Sequence, residues 1–212
     1  MIDEVLQIAR QELGHVFWIG GTGCSGKSSI ASLLGSEFAL RVYHVDDEVE
    51  HPKPEASLRA QRKLEHELWH WLSKQPAQLS ATELAAAITD DWQTIILEQT
   101  ITHLLTLPRD RSIIVEGLFL PASLLQIAAR DHIAVLIASR AFRAKYFAYR
   151  YAWFEEYANQ VAMIDTVLDT LDAMDRRWTA QAQQFNVRLL SVQSPPDISA
   201  VSAQLATYFL LV

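Results

Sequence analysis

The chain has 212 residues, half of them apolar and 20% charged, with a formal net charge of −7 at pH 7. That balance supports one well-buried α/β domain, excludes disorder as the ground state, and argues against a nucleic-acid backbone as partner, which would call for a basic face. No apolar run approaches the roughly 18 to 20 residues of a membrane helix, Met1-Ile2-Asp3-Glu4 lacks the basic start of a signal peptide, and the lone cysteine, Cys24, can form no internal disulfide. A cytoplasmic protein with no membrane partner is expected.

In chain order, residues 3–13 form a short amphipathic pattern, followed by the apolar run His15-Val16-Phe17-Trp18-Ile19, which reads as a buried strand ending in glycines. Ser28 to Phe38 carries Ile30, Leu33, Leu34 and Phe38 at helical spacing. A second strand over Leu40 to Val45 stops at Asp46-Asp47. Later runs at Ser112–Val115, His132–Ile137 and Val187–Val192 complete five strands separated by helical patterns. This alternation predicts a mostly parallel sheet covered on both faces.

About 60 residues separate the second and third strands, where a simple crossover needs about a dozen. An insertion over 52–111 is therefore expected, punctuated by Pro52, Pro54 and Pro76, with helices near Glu55–Ser73 and Thr82–Leu107. A further helical stretch, about 139–184, precedes the last strand. Its stripe of Val161, Ile164, Leu168, Leu171, Met174 and Trp178 reads as core packing. No internal repeat or linker divides 1–212 into two domains.

The chemistry starts at Gly21-Thr22-Gly23-Cys24-Ser25-Gly26-Lys27-Ser28, which fits G-x-x-x-x-G-K-[ST] between a strand and a helix. The glycines let backbone N–H groups curl inward around phosphate, Lys27 neutralises the β and γ phosphates, and the Ser28 hydroxyl can ligate Mg²⁺. The helix that starts here adds its positive end. A nucleoside triphosphate, ATP or GTP, is the expected ligand, with Mg²⁺ as cofactor.

Gly20 to Ser29, the pair Asp46-Asp47 with Pro52 close behind, and Ile113-Ile114-Val115-Glu116-Gly117 together resemble the P-loop kinases of the uridine kinase and nicotinamide riboside kinase type. The resemblance covers the sheet core and its loops, not the inserted helices. It implies a three-layer nucleotide-kinase fold with a five-stranded parallel sheet, a helical acceptor-binding insertion and a lid over 139–158. It also implies transfer of a γ-phosphoryl group to a hydroxyl of a small acceptor: a nucleoside, sugar, phosphorylated acid or aminoglycoside-like compound. By that resemblance Asp46, with Asp47 as the alternative, faces the acceptor hydroxyl near the metal; if the strand continues, the two side chains point to opposite sides. Glu116 would hold a metal-bound water or an acceptor hydroxyl, and Arg143 and Arg150, seven apart on one helix face, would close over the phosphates. Ser28 and Ser29 belong to the nucleotide site, and Trp69 and Trp92 of the insertion to the acceptor pocket. The chain departs from those kinases in carrying Glu48-Val49 where an aromatic pair is usual, and in lacking their doubled lid arginines.

Two other readings compete. A nucleotide-dependent switch or NTPase shares the phosphate loop but wants a water-positioning residue, for which the sequence offers no clear candidate. His66-Glu67-Leu68-Trp69-His70 is a literal H-E-x-x-H, which on a helix could hold zinc, yet no third-ligand motif accompanies it. Asp165, Asp169 and Asp172 make an acidic stripe that could receive a cationic acceptor but reads more simply as a solvated helix face.

Overall fold

A computed structural model describes residues 2–48, 80–150, 161–195 and 197–211, with side chains for 6–48, 80–86, 96–146, 164–195 and 197–211. A leading helix, α1 (Ile2–Glu12), precedes β1 (Val16–Gly21), whose six residues are all buried. Then come α2 (Lys27–Glu37), β2 (Arg41–His44) and a single turn of helix, α3 (Val45–Glu48). The second half comprises α4 (Ala81–Leu104), β3 (Ile113–Glu116), a short α5 (Pro121–Leu124), β4 (Ile133–Ala138), α6 (Arg140–Arg150), α7 (Val161–Gln184), β5 (Arg188–Val192) and α8 (Asp197–Tyr208).

The strands form one sheet in the order β2-β3-β1-β4-β5, every neighbouring pair parallel. Because β1 lies in the middle, the loop that follows it emerges at the centre of the sheet's carboxyl edge, where open α/β sheets bind ligands. Register places Ile19 beside Glu116 and His44 beside Glu116, so the ends of β1, β2 and β3 meet there.

Alternation along the strands builds two cores. Val16, Trp18, Ile113, Val115, Ile133 and Val135 face one side, where they meet Ile101 and Leu104 of α4 and Met174 and Trp178 of α7. Phe17, Ile19, Ile114, Ala134 and Leu136 face the other, against Ile30 and Leu34 of α2 and Val201 and Leu205 of α8. Buried parallel strands need apolar side chains on both faces, which is why they read as continuous runs in the sequence. The expected five-stranded parallel α/β architecture is present.

One boundary differs from expectation. The second strand ends at His44, and Val45–Glu48 turns into helix instead of continuing as strand. Ser80 begins α4 with a capping box: its hydroxyl accepts from the Glu83 N–H at 3.3 Å, while the Glu83 carboxylate accepts from the Ser80 N–H at 2.7 Å. The helix expected near Glu55–Ser73, together with His66, Glu67, Trp69 and His70, lies outside the described residues. So do the side chains of Trp92 and Arg150.

Candidate active site

Residues 22–26 link β1 to α2 and supply the phosphate loop. The glycines at its two ends are required by the backbone: Gly21, the last residue of β1, has φ +142° and Gly26 φ +83°, and a Cβ at Gly21 would stand 2.1 Å from the Leu136 carbonyl oxygen. Gly26 precedes α2, and no side chain caps the helix start, so its leading N–H groups face an incoming anion without a built-in competitor. Inside the loop, Ser25 Oγ and Lys27 Nζ both donate to the Thr22 carbonyl oxygen at 2.8 Å.

At the strand ends, Glu116 is the hub. Its side chain is nearly buried, and Oε1 accepts from Ser28 Oγ at 3.0 Å and from His44 Nδ1 at 2.9 Å. Burial pushes the Glu116 carboxyl up, but the His44 hydrogen bond, the Lys27 charge and the Ser28 hydroxyl outweigh it and hold the group below the usual carboxylate range. The same bond to Glu116 lifts His44 above its ordinary value against half-burial that lowers it, with Asp47 and Asp46 adding attraction. Both shifts favour the ionised pair.

An open pocket of about 370 Å³ adjoins this hub, lined by Ser28, Ser29, Ser32, His44, Asp46, Asp47 and Glu116. Asp46 and Asp47 are exposed. Because α3 is helical they stand about 100° apart around its axis, rather than on opposite faces of a strand, and both line the pocket. A second concavity of about 460 Å³, between Arg130, Arg188 and Tyr208, lies where β5 begins and carries none of the motif residues.

Arg143 departs from expectation. Instead of standing on an exposed helix face above the phosphates, it is fully buried. Nε donates to the Gly23 carbonyl oxygen at 3.3 Å, Nη2 to Thr22 Oγ1 at 2.9 Å and to Asp175 Oδ2 at 2.5 Å, and Nη1 to Asp172 Oδ1 at 3.1 Å. Thr22 Oγ1 in turn donates to Asp175 Oδ1 at 2.6 Å. Burial is the largest influence on Asp175 and pushes its carboxyl up, while Arg143 and Thr22 pull the other way. The stripe of Asp165, Asp169 and Asp172 pairs with Arg140 of α6, at 3.7, 2.8 and 2.5 Å. Arg140 thus already neutralises part of the stripe that could have received a cationic acceptor.

The structure therefore gathers Lys27, Ser28, Ser29, Asp46, Asp47 and Glu116 around one pocket or the loop beside it, and turns Arg143 to the loop's carbonyl and hydroxyl groups. Sequence reading missed His44, Ser32 and Asp175. Asp175 continues the Asp165, Asp169, Asp172 series by three more residues, a helical spacing that could have marked it. His44, paired in register with Glu116 across parallel strands, had no local signal.

Among the described residues no group of three or more histidine, cysteine, aspartate or glutamate side chains could hold a metal ion by itself. Ser28 and Glu116, with Asp46 in the same pocket, offer the hard oxygen donors that suit Mg²⁺, an ion that keeps waters and substrate phosphates as its other ligands. No protein-family model matches the sequence, and no curated protein is similar to it. Among solved structures, the chain is similar to the crystal structure of shikimate kinase from Aquifex aeolicus vf5, with 16% identity and a TM-score of 0.43 over 92% of this chain and 98% of that chain. The chemistry rests on the residues of the loop and its neighbours, to which this likeness adds nothing.

Proposed function

We infer that the protein is a phosphotransferase that moves the γ-phosphoryl group of ATP or GTP to a hydroxyl of a small acceptor. One observation carries this reading: Ser28 belongs at once to the phosphate loop and to the pocket lined by Asp46, Asp47 and Glu116. A phosphate held by the loop would thus present its terminal group to whatever fills that pocket.

In this reading Lys27 leaves the Thr22 carbonyl to bridge the β and γ phosphates. Mg²⁺, when bound, neutralises charge on those phosphates. Ser28 donates a hydrogen bond to Glu116, so its oxygen lone pairs would be free to hold Mg²⁺, and His44 holds Glu116 in the accepting position. Asp46 aligns the acceptor hydroxyl and takes its proton, with Asp47 as the neighbouring alternative. Ser29 and Ser32 offer further hydrogen bonds to a hydroxyl-rich acceptor. Most of the rate enhancement comes from positioning and charge neutralisation, because phosphoryl transfer needs little covalent help from the protein. The insertion over 52–111, with Trp69 and Trp92, is proposed to complete the acceptor side, and Arg150 to approach the phosphates.

The test is release of ADP or GDP with Mg²⁺ across a panel of hydroxyl acceptors, with Asp46→Asn and Asp47→Asn run alongside. One acceptor class should raise release well above background, and the substitution at the base should abolish that stimulation. Slow release indifferent to every acceptor and to both substitutions would instead favour an NTPase or switch.

A further inference from the structure

The buried cluster of Arg143, Thr22, Asp172 and Asp175 does not enter the chemistry above, and its position bears on nucleotide binding. A fully buried guanidinium paired with two carboxylates is a poor way to gain stability, because desolvating the charges offsets their attraction and apolar replacements often do as well. It is a good way to specify one geometry. Four hydrogen bonds fix the Arg143 guanidinium, two of them to the phosphate loop and two to α7.

The contact with the loop is directional. In a trans peptide the C=O of one residue and the N–H of the next point in opposite directions. No peptide bond among the described residues is cis, so a Gly23 carbonyl drawn toward Arg143 turns the Cys24 N–H away from it. The Thr22 side chain is pinned on the same guanidinium, and the Thr22 carbonyl is taken by Ser25 and Lys27. Cys24, at φ +56°, sits in a conformation that a non-glycine residue adopts at a cost, so the turn needs an external hold.

We propose that Arg143, anchored by Asp172 and Asp175 of α7, is a positioning residue that sets the 22–24 peptides of the phosphate loop in their anion-binding orientation before nucleotide arrives. The proposal rests on the reading of this loop as a nucleotide site. Without the anchor the loop samples other turns, and the apparent affinity for nucleotide falls by the fraction of time spent in the competent one. The bound state is unchanged once formed.

Calorimetric titration of the full chain with Mg²⁺-ADP and Mg²⁺-GDP tests it without knowledge of the acceptor. Asp175→Asn and Thr22→Val are compared with the parent and with Asp110→Asn, a control in the exposed Arg41–Asp110 pair. The melting midpoint of each nucleotide-free protein is measured in parallel. The expected result is a dissociation constant raised about tenfold by either substitution, as for a loop competent about a tenth of the time, with the control unchanged. The double variant should be no worse than the poorer single one, as for two parts of one device. Dissociation constants within twofold of the parent, even with a lowered midpoint, would mean that the cluster is only structural and would overturn the proposal. If Asp175→Asn does not fold, Thr22→Val decides by the same criterion, since it removes one hydroxyl and leaves Arg143 paired with both carboxylates. If the parent binds neither nucleotide, the nucleotide reading itself fails, a result distinct from a parent that binds and variants that bind equally well.

Discussion

Glu116 shows how one side chain ties the phosphate loop to the sheet. Its carboxylate accepts from both Ser28 and His44 through the same oxygen. Glu116→Gln keeps the shape but turns one acceptor oxygen into a donor group and removes the negative charge that fixes the Ser28 proton. If Ser28 carries Mg²⁺, the concentration of Mg²⁺ needed for half-maximal activity should rise by about 10- to 100-fold, the usual effect of losing a partner that orients a metal ligand. Titration of activity with Mg²⁺ at saturating nucleotide checks this; an unchanged midpoint would remove Glu116 from the metal's surroundings. At this scale the place of a residue was legible wherever it follows from local pattern. Lys27 and Ser28 come from the spacing of the motif, whereas Asp46 and Asp47 enter only through the resemblance to the P-loop kinases. Arg143 was legible as a basic residue after β4 but not as a buried one, because its burial depends on Asp172 and Asp175, about thirty residues further on and across a helix pair. His44 was invisible for the same reason: only the pairing of β2 with β3 brings it to Glu116.

Helix starts supply the next level of control. Ser80 and Glu83 form the capping box that begins α4, which packs against α7. Ser80→Ala should destabilise the protein by on the order of 1 kcal/mol, measured by urea unfolding, with nucleotide affinity unchanged. The effect should depend on pH. Hydrogen bonds from the Ser80 side chain and backbone lower the Glu83 carboxyl, and bonds from the Gln193 and Ser194 N–H groups lower Asp197 at the start of α8. A carboxyl whose folded value is depressed contributes stability above its unfolded value and loses it as pH falls through the folded one. The difference in stability between the parent and a Glu83→Gln, Asp197→Asn double variant should therefore be full at pH 7 and shrink as pH falls from about 4.5 through the lower folded values. A gap that persists unchanged at pH 3 would mean that the caps act through shape and not charge. Element positions were legible because apolar periodicity is local. The second strand read too long because Val45 continues its apolar run, whereas burial of Val45 is served equally well by the first turn of α3.

The strand order is a property of the whole chain and no local signal encodes it. That β3 lies between β2 and β1 follows from which apolar faces and turns fit together, and it is this order that brings Asp46, Glu116 and the phosphate loop to one edge. The loop in turn is rooted in both cores: Trp18 of β1 packs on one side of the sheet and Ile30 of α2 on the other. A ligand held at that junction should report on the whole fold rather than on a local flap. Nucleotide bound at 100 times its dissociation constant stabilises a native state by about 2.7 kcal/mol, which for a chain of this size raises the melting midpoint by roughly 5 to 10 °C. Mg²⁺-ATP or Mg²⁺-GTP should therefore shift the whole transition of the parent protein by that amount. Lys27→Ala removes the cation proposed to meet the phosphates while leaving both cores intact, so its nucleotide-free midpoint should stay close to the parent's and its nucleotide-induced shift should vanish. Scanning calorimetry of the two proteins, each with and without nucleotide, separates the cases: a shift that survives Lys27→Ala would place the nucleotide elsewhere than the phosphate loop, whereas a shift lost with the nucleotide-free midpoint preserved ties binding to the loop and the stability gain to the sheet that carries it.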